Sequence, residues 1–250
     1  MYEDAVVIGG LGVVGTATRR MLGIWSCYDY NGGNISEAEL TGLHYIFLCL
    51  PTPTVGGVCD VSLIRRYVER LGSNHTYIVR STVAPGTARG LATEFGVPVV
   101  SCPEFLTEAL AQVECLAPDL LVLGADSDAV AMDVWTRFFC KVHAGRVVFT
   151  DTVTAEFIKY AVNVFYATKV LYANAMYDVA EKLGIDYDTV KGALYARKWI
   201  GGNHLTVPWK GVRGLNGKCL PKDLAAFATF SGHPLFEFLS ELNERWAGKG

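Results

Sequence analysis

The chain has no C-x-x-C pair, no block of Lys or Arg, and no apolar run near the roughly 20 residues that a membrane-spanning helix requires. Seven cysteines, an odd number without that pairing, fit neither a disulfide framework nor a tetrahedral zinc site, so reduced thiols and no metal are expected. Most lie in apolar surroundings, as Cys49 does in Ile46-Phe47-Leu48-Cys49-Leu50, where a thiol behaves as a small hydrophobe. A formal charge of -3 without a basic arm gives an extended phosphodiester no electrostatic footing, so no nucleic-acid partner is expected. The longest apolar runs are broken by Pro, Gly or charge, which predicts a soluble chain with no membrane partner. Met1 to Glu3 lead straight into Ala5-Val6-Val7-Ile8 with no basic n-region of a cleavable leader, and the expected location is the cytoplasm. The 26 glycines follow no fixed period and the sequence shows no internal repeat, which excludes collagen-like material.

What is present is a globular composition, 51% hydrophobic and 19% charged, over 250 residues, enough for two linked domains with a core each. Up to about residue 150, short apolar runs at 4–9, 25–30, 45–50, 77–81, 97–101, 120–124 and 147–150 alternate with helical patterns at 61–71, 86–95 and 128–139. That rhythm predicts βαβ units and a parallel sheet. Residues 152–183 then run without Pro or Gly and close at Gly184, as a helix with a glycine C-cap would; the length corresponds to about 48 Å. So long a helix is expected to enter a second domain and to pack against another copy, giving a homodimer. A shorter helix at 187–195, a Gly- and Lys-rich loop at 201–218 and helices within 221–247 complete the chain. The expected fold is α/β: a Rossmann-like parallel sheet domain over 1–150, then a long helix and a small all-helical domain over 151–250.

Gly10, Gly12 and Gly15 stand in G-x-G-x-x-G order between an apolar strand and a helical stretch, and Asp29 follows about 20 residues on. Such glycines allow a tight turn, close backbone approach to a pyrophosphate and close strand-helix packing, while the helix N-terminus supplies positive potential. The intervening Leu11, Val13 and Val14 would line the same loop, and Asp29 would accept hydrogen bonds from ribose hydroxyls. A carboxylate there repels a 2′-phosphate and no Arg occurs in Tyr30-Asn31-Gly32-Gly33, so NAD is expected rather than NADP. The competing reading of the loop is a glycine-rich turn that binds no nucleotide.

Three polar pairs recur at one-turn spacing. Glu104 and Glu108 would lie on one helical face, able to divide acid and base duties or to be two solvated acids of a first helical turn. Lys159 and Asn163 lie on the long helix among apolar neighbours, where a desolvated Lys can stabilise an alkoxide or act as a base and Asn can position a hydroxyl. A snorkelling Lys is the alternative. Cys219 and Asp223 flank Pro221, which marks a helix start; a thiol there, between Lys218 and Lys222, is favoured as thiolate and suited to covalent catalysis, the alternative being a buried structural cysteine.

In order, these motifs resemble the UDP-glucose and UDP-N-acetylmannosamine 6-dehydrogenase family from residue 4 to about 230. The likeness includes Phe47-Leu-Cys-Leu-Pro-Thr-Pro-Thr54, Arg80-Ser-Thr-Val-Ala-Pro-Gly-Thr87, Pro103-Glu-Phe-Leu-Thr-Glu108, Glu156-Phe-Ile-Lys-Tyr-Ala-Val-Asn163 and Cys219-Leu-Pro-Lys-Asp223. It implies oxidation of a nucleotide-sugar C6 alcohol to a carboxylate with two NAD molecules, through a cysteine thiohemiacetal and thioester. By the same resemblance Cys219 is the nucleophile and Lys159 stabilises the oxyanion. Asn163 and Asp223 order hydroxyl and water, Glu104 is a general acid/base, and Thr82 is a further active-site group. Pro51, Thr52, Pro53, Ser81, Thr82, Glu108 and Lys222 would contact NAD; Phe105, Leu106, Lys159, Asn163, Lys210, Arg213 and Gly214 would contact the substrate, a UDP-sugar in the first instance.

The chain also departs from that pattern. The family's third, Rossmann-like domain, which holds much of the nucleotide, has no counterpart in these residues, so a short form is expected. The stretch between Asp29 and His44 lacks room for the family's additional αβ element. Gly214 and Gly217 match the family's substrate loop, but Leu215 replaces an aromatic and Asn216 a glycine; Trp199-Ile200-Gly201 stands for Arg-Ile-Gly. Lys210, Arg213 and Lys218 would hold a diphosphate in compensation, or form a solvated loop. Two other functions compete: a non-catalytic NAD-binding subunit that needs a partner, and a hydroxyacid dehydrogenase, which uses Lys159 and Asn163 but has no need of Cys219.

Overall fold

The structure, a computed structural model, describes residues 2–246. The chain divides into two compact units, Met1–Pro53 with Asp60–Lys159, and Thr54–Cys59 with Tyr160–Gly250.

In chain order the first unit contains β1 (Ala5–Ile8), α1 (Val13–Leu22), β2 (Cys27–Asp29), β3 (Gly32–Gly33) and β4 (Tyr45–Leu48). After the hairpin β5 (Thr54–Val55) and β6 (Val58–Cys59), which belongs to the second unit, it resumes with α2 (Ser62–Leu71), β7 (Thr76–Val79), α3 (Thr87–Phe95) and β8 (Val99–Ser101). It continues through α4 (Ala111–Glu114), β9 (Leu120–Ala125), α5 (Asp128–Val134) and β10 (Arg146–Thr150) to the first turns of α6 (Thr152–Leu183).

The sheet order is β10-β9-β8-β7-β4-β1-β2-β3. β1, β4 and β7 are buried along their whole length, as strands covered on both faces must be. Alternate residues feed two cores: Ala5, Val7, Phe47 and Ile78 on one face, and Val6, Ile8, Ile46, Leu48, Tyr77 and Val79 on the other.

The expected parallel sheet is realised from β2 to β8, but β8 and β9 pair antiparallel, as do β2 and β3. A parallel neighbour needs a crossover element to carry the chain back across a face of the sheet. Between Ser101 and Leu120 the only α-helix is the single turn of α4, so the chain returns along the adjacent edge instead. The helix expected at 128–139 is two pieces: α5 ends at Val134 and a π-helical turn follows over Trp135–Phe139, where Cys140 N donates to Trp135 O at 2.9 Å. Between β2 and β4 the chain forms only β3 and a 3₁₀ turn over Glu37–Gly42.

In the second unit, α6 continues to Leu183 and ends in a Schellman motif. Gly184 has φ +66°, its N–H donates to Glu181 O, and Ile185 N–H donates to Ala180 O. α7 (Tyr187–Ala196) is capped by Asp186, whose carboxylate accepts the Asp188 and Thr189 amides. α8 (Leu220–Ser231) and α9 (Pro234–Glu244) follow; the expected end of this helical stretch at Ala247 lies outside the described residues. The unit also holds the β5–β6 hairpin, where Thr54 Oγ1 donates to Lys222 O at 2.8 Å, and an irregular stretch over 197–219 that contains an antiparallel bridge between Trp209 and Val212. Among the described residues no helix is long and apolar enough to cross a membrane.

Candidate active site

The glycine loop bridges β1 and α1 with no room for side chains at two of its three glycines. A Cβ on Gly15 would stand 2.1 Å from Gly9 O, and one on Gly10 would stand 2.5 Å from Cys27 Sγ. Gly12 is the N-cap of α1, whose first turn has no side-chain cap and no acidic residue, so the positive end of the helix is not neutralised locally. Leu11 and Val13 are exposed. Asp29, half-buried at the end of β2, accepts the Leu11 amide through Oδ2 at 3.2 Å and the Asn31 amide through Oδ1 at 3.2 Å. A bare backbone loop, an open helix N-terminus and a carboxylate at the loop's edge fit a dinucleotide. Gly9, which the spacing rule passes over, also has no room for a side chain, with φ +78° and a Cβ there standing 2.3 Å from Cys49 O. Its signal is the Gly-Gly pair directly after the strand.

Beyond β4 and β7 the side chains tie loops together. Ser81 Oγ accepts the Leu50 amide at 2.9 Å and donates to Leu50 O at 2.7 Å, and Thr52 Oγ1 donates to Thr82 O at 2.7 Å. Ser81 and Thr52 are therefore buried braces, whereas Pro51 and Pro53 are exposed and Thr82 is half-buried.

Glu104 and Glu108 do not share a helical face. Residues 102–107 are irregular and only a 3₁₀ turn begins at Glu108, because Pro103 cannot donate within a helix and Glu104 Oε2 instead accepts the Leu106 amide at 2.7 Å. Glu108 is exposed. Glu104 turns to Lys159, with Nζ to Oε1 3.4 Å and side-chain exposures of 14% and 6%. The Lys159 ammonium also stands 5.3 Å from the centre of the Phe105 ring. A buried cation against one carboxylate and one aromatic face is suited to stabilising a developing oxyanion.

One turn before Lys159 on α6, Glu156 is 2% exposed and accepts the Gly86 amide at 2.6 Å and the Ala88 amide at 2.8 Å. It caps α3, which has no local side-chain cap. Burial pushes its carboxyl up to about 7, against the backbone donors that favour the anion. Nothing in its spacing separates Glu156 from an exposed helix acid; only the fold shows its partners.

In the second unit Asn163 Nδ2 donates to Asp223 Oδ2 at 2.6 Å, and Asp223, 1% exposed, also pairs with the Lys222 ammonium. Cys219 is exposed at the N-cap of α8, and its carbonyl accepts the Asp223 amide at 2.9 Å. Lys210 is exposed. Arg213 is engaged within the unit: Nε donates to Asn174 Oδ1 at 2.8 Å, Nη2 donates to Asn174 O and Asp178, and the guanidinium lies 4.6 Å from the Tyr177 ring centre. Gly214, at φ +73°, donates to Asn174 Oδ1.

Residues 27–142 match the NAD binding domain, and residues 153–244 the central domain, of the UDP-glucose/GDP-mannose dehydrogenase family. The chain belongs to this family. It is 32% identical over 203 residues to the UDP-glucose 6-dehydrogenase of Rickettsia conorii, covering 77% of this chain and 46% of that protein. With the UDP-glucose 6-dehydrogenase of Haloferax volcanii it shares 34% identity over 211 residues, 75% of this chain and 48% of the relative. The chain thus spans about half the length of the curated relatives it matches. A UDP-glucose dehydrogenase structure from Pyrobaculum islandicum superposes with TM-score 0.82 at 26% identity, covering 97% of this chain and 68% of that one. The 3-hydroxyisobutyrate dehydrogenase of Mycobacterium tuberculosis shares the fold at TM-score 0.73 and 16% identity, covering 100% of this chain and 95% of that one.

Proposed function

We propose that this protein oxidises the C6 alcohol of a nucleotide sugar, a UDP-sugar in the first instance, to the carboxylate through a thioester on Cys219. The observation that carries the reading is the start of α8. There an exposed thiol precedes, by one helical turn, a buried carboxylate held by Asn163 and Lys222. NAD is the cofactor and, when bound, supplies the electron acceptor for both oxidations.

Each residue has a distinct task. The backbone of Gly10 to Gly15 carries the pyrophosphate and Asp29 the ribose, while Pro51, Thr52, Pro53, Ser81, Thr82, Glu108 and Lys222 shape the remaining cofactor surface. Oxidation of the alcohol yields an aldehyde; Cys219 gives up its thiol proton to solvent as its sulfur bonds to the aldehyde carbon, and the carbonyl oxygen becomes the oxyanion that Lys159 stabilises. Glu104 accepts the hydroxyl proton. The thiohemiacetal loses a second electron pair with a proton to become a thioester. Water positioned by Asp223 and Asn163 adds to the thioester carbon and the C–S bond breaks, returning the thiol and releasing the carboxylate. Phe105, Leu106 and Gly214 face the sugar nucleotide, and exposed Lys210 is a better diphosphate ligand than Arg213, whose donors are engaged.

Incubation with NAD and a panel of UDP-sugars is expected to yield two NADH per uronate; absence of turnover across the panel refutes the reading, and NAD binding without turnover favours a subunit awaiting a partner. Cys219→Ser is expected to abolish carboxylate formation; retained oxidation of a hydroxyacid would favour the hydroxyacid-dehydrogenase reading. As part of the same proposal α6, with Phe165 and Tyr172 exposed, joins two copies in the cytoplasm. Sedimentation at twice the 27.2 kDa chain mass and recovery in the cytosolic fraction are the expected results; a monomer or a membrane-bound fraction removes the respective part.

A further inference from the structure

Arg80, directly after β7, is 4% exposed, and its guanidinium spans two elements of the first unit. Nε donates to Thr18 Oγ1 on α1 at 3.3 Å; Nη1 donates to Cys102 O at 2.8 Å and Cys102 Sγ at 3.1 Å. Thr18 is itself fully buried, with Cys49 Sγ 3.7 Å from its hydroxyl. The backbone of Arg80 is equally fixed, its N–H donating to Leu48 O at 2.9 Å. No ion pair of Arg80 occurs among the described residues. Burial of a guanidinium with no carboxylate in direct contact costs several kcal/mol, which these polar contacts and the longer-range charge of Glu104 only partly return. An apolar side chain would fill the space without that cost, so the donors of Arg80 are the feature to be explained.

What they hold is the point where the chain leaves β8. The Cys102 carbonyl is the last anchor before Pro103, and Glu104 comes next, its Oε2 closing a turn on the Leu106 amide and its Oε1 on Lys159. Residues 102–107 have no helix or strand of their own, so few backbone bonds locate Glu104. The neutral Thr18 and the carbonyl dipole of Cys102 fix the fork at both ends.

We infer that Arg80 is a positioning residue: a strut from α1 to the Cys102 carbonyl that sets the Cys102–Leu106 turn and thereby aims Glu104 at Lys159. Its importance to turnover rests on the reading of Glu104 as an active-site group, but the strut itself does not. Hydrogen exchange separates the two. In Arg80→Gln the Leu106 amide is expected to exchange at least ten-fold faster, while Gly86 and Ala88, held by Glu156, change less than three-fold. Thr18→Val removes the far end of the strut together with the acceptor of the Cys49 thiol, and is expected to show a smaller effect of the same kind. Arg80→Lys, which reaches one acceptor instead of two, is expected to restore part of the protection.

In turnover, Arg80→Gln is expected to lower kcat by ten-fold or more with NAD affinity within three-fold, and to add nothing further in a Glu104→Gln background. Unchanged Leu106 exchange in both Arg80→Gln and Thr18→Val, or equal acceleration at Leu106, Gly86 and Ala88, overturns the inference. If Arg80→Gln does not fold, Arg80→Lys and Thr18→Val decide by the same amides. An inactive wild type with selective Leu106 loosening overturns the proposed function and leaves the strut standing.

Discussion

Replacing Glu156 with Gln tests how the start of α6 is fastened to the start of α3. The carboxylate receives the Gly86 and Ala88 amides but is 2% exposed, and its carboxyl is raised to about 7 from an ordinary 4.5. Burial is the largest cause, and it outweighs the backbone donors that oppose it. Because the folded value is the higher one, the native chain holds this proton more tightly than the unfolded chain. The associated stability is fully present below pH 4.5 and is lost as pH rises through about 7. At 1.36 kcal/mol per unit, the loss amounts to about 3 kcal/mol. Gln resembles the protonated acid and does not ionise. The variant is therefore expected to match the wild type within about 1 kcal/mol at pH 4.5 and to exceed it by about 3 kcal/mol at pH 8. Urea unfolding followed by circular dichroism at pH 4.5, 6, 7 and 8 reads the difference directly. A gap that stays constant with pH, or a wild type that gains on the variant as pH rises, refutes the reasoning and shows that the α3 amides dominate over burial.

Gly15→Ala places a methyl 2.1 Å from Gly9 O, so NAD binding followed by calorimetry is expected to weaken by at least 100-fold, with a lowered Tm; wild-type affinity would contradict the tight loop. Lys159→Met leaves Glu104 without its cation and is expected to lower kcat by about 100-fold or more with a smaller change in KM; an unchanged kcat would remove Lys159 from oxyanion stabilisation. Arg213→Ala deletes contacts to Asn174, Asp178 and Tyr177 and is expected to cost about 2–4 kcal/mol in urea unfolding. A stable Arg213→Ala variant with a raised KM for the UDP-sugar would return this residue to the diphosphate.

Much of the first unit was legible in the sequence because its signals are local. The continuous apolar runs Ala5 to Ile8 and Tyr45 to Leu48 mark strands buried on both faces, and a stretch without Pro or Gly closed by Gly184 marks α6. The Gly10, Gly12 and Gly15 spacing is similarly local, since it reports what backbone must do within one turn. The spacing of Glu104 and Glu108 matches a helical period that the chain does not adopt, because Pro103 and the Glu104 side chain close a different turn.

Residue order and type thus determined the strands, the long helix, the glycine loop and the chemical kinds of group available. Tertiary structure alone decided the reversed direction of β9, the burial of Glu156 against α3, the engagement of Arg213 by Asn174 and Asp178, and the bracing of Cys102 by Arg80. Each of these depends on partners 20 or more residues away along the chain. Periodicity carries information over a few turns of backbone, whereas a buried charge takes its role from whichever distant donors and acceptors the fold sets against it.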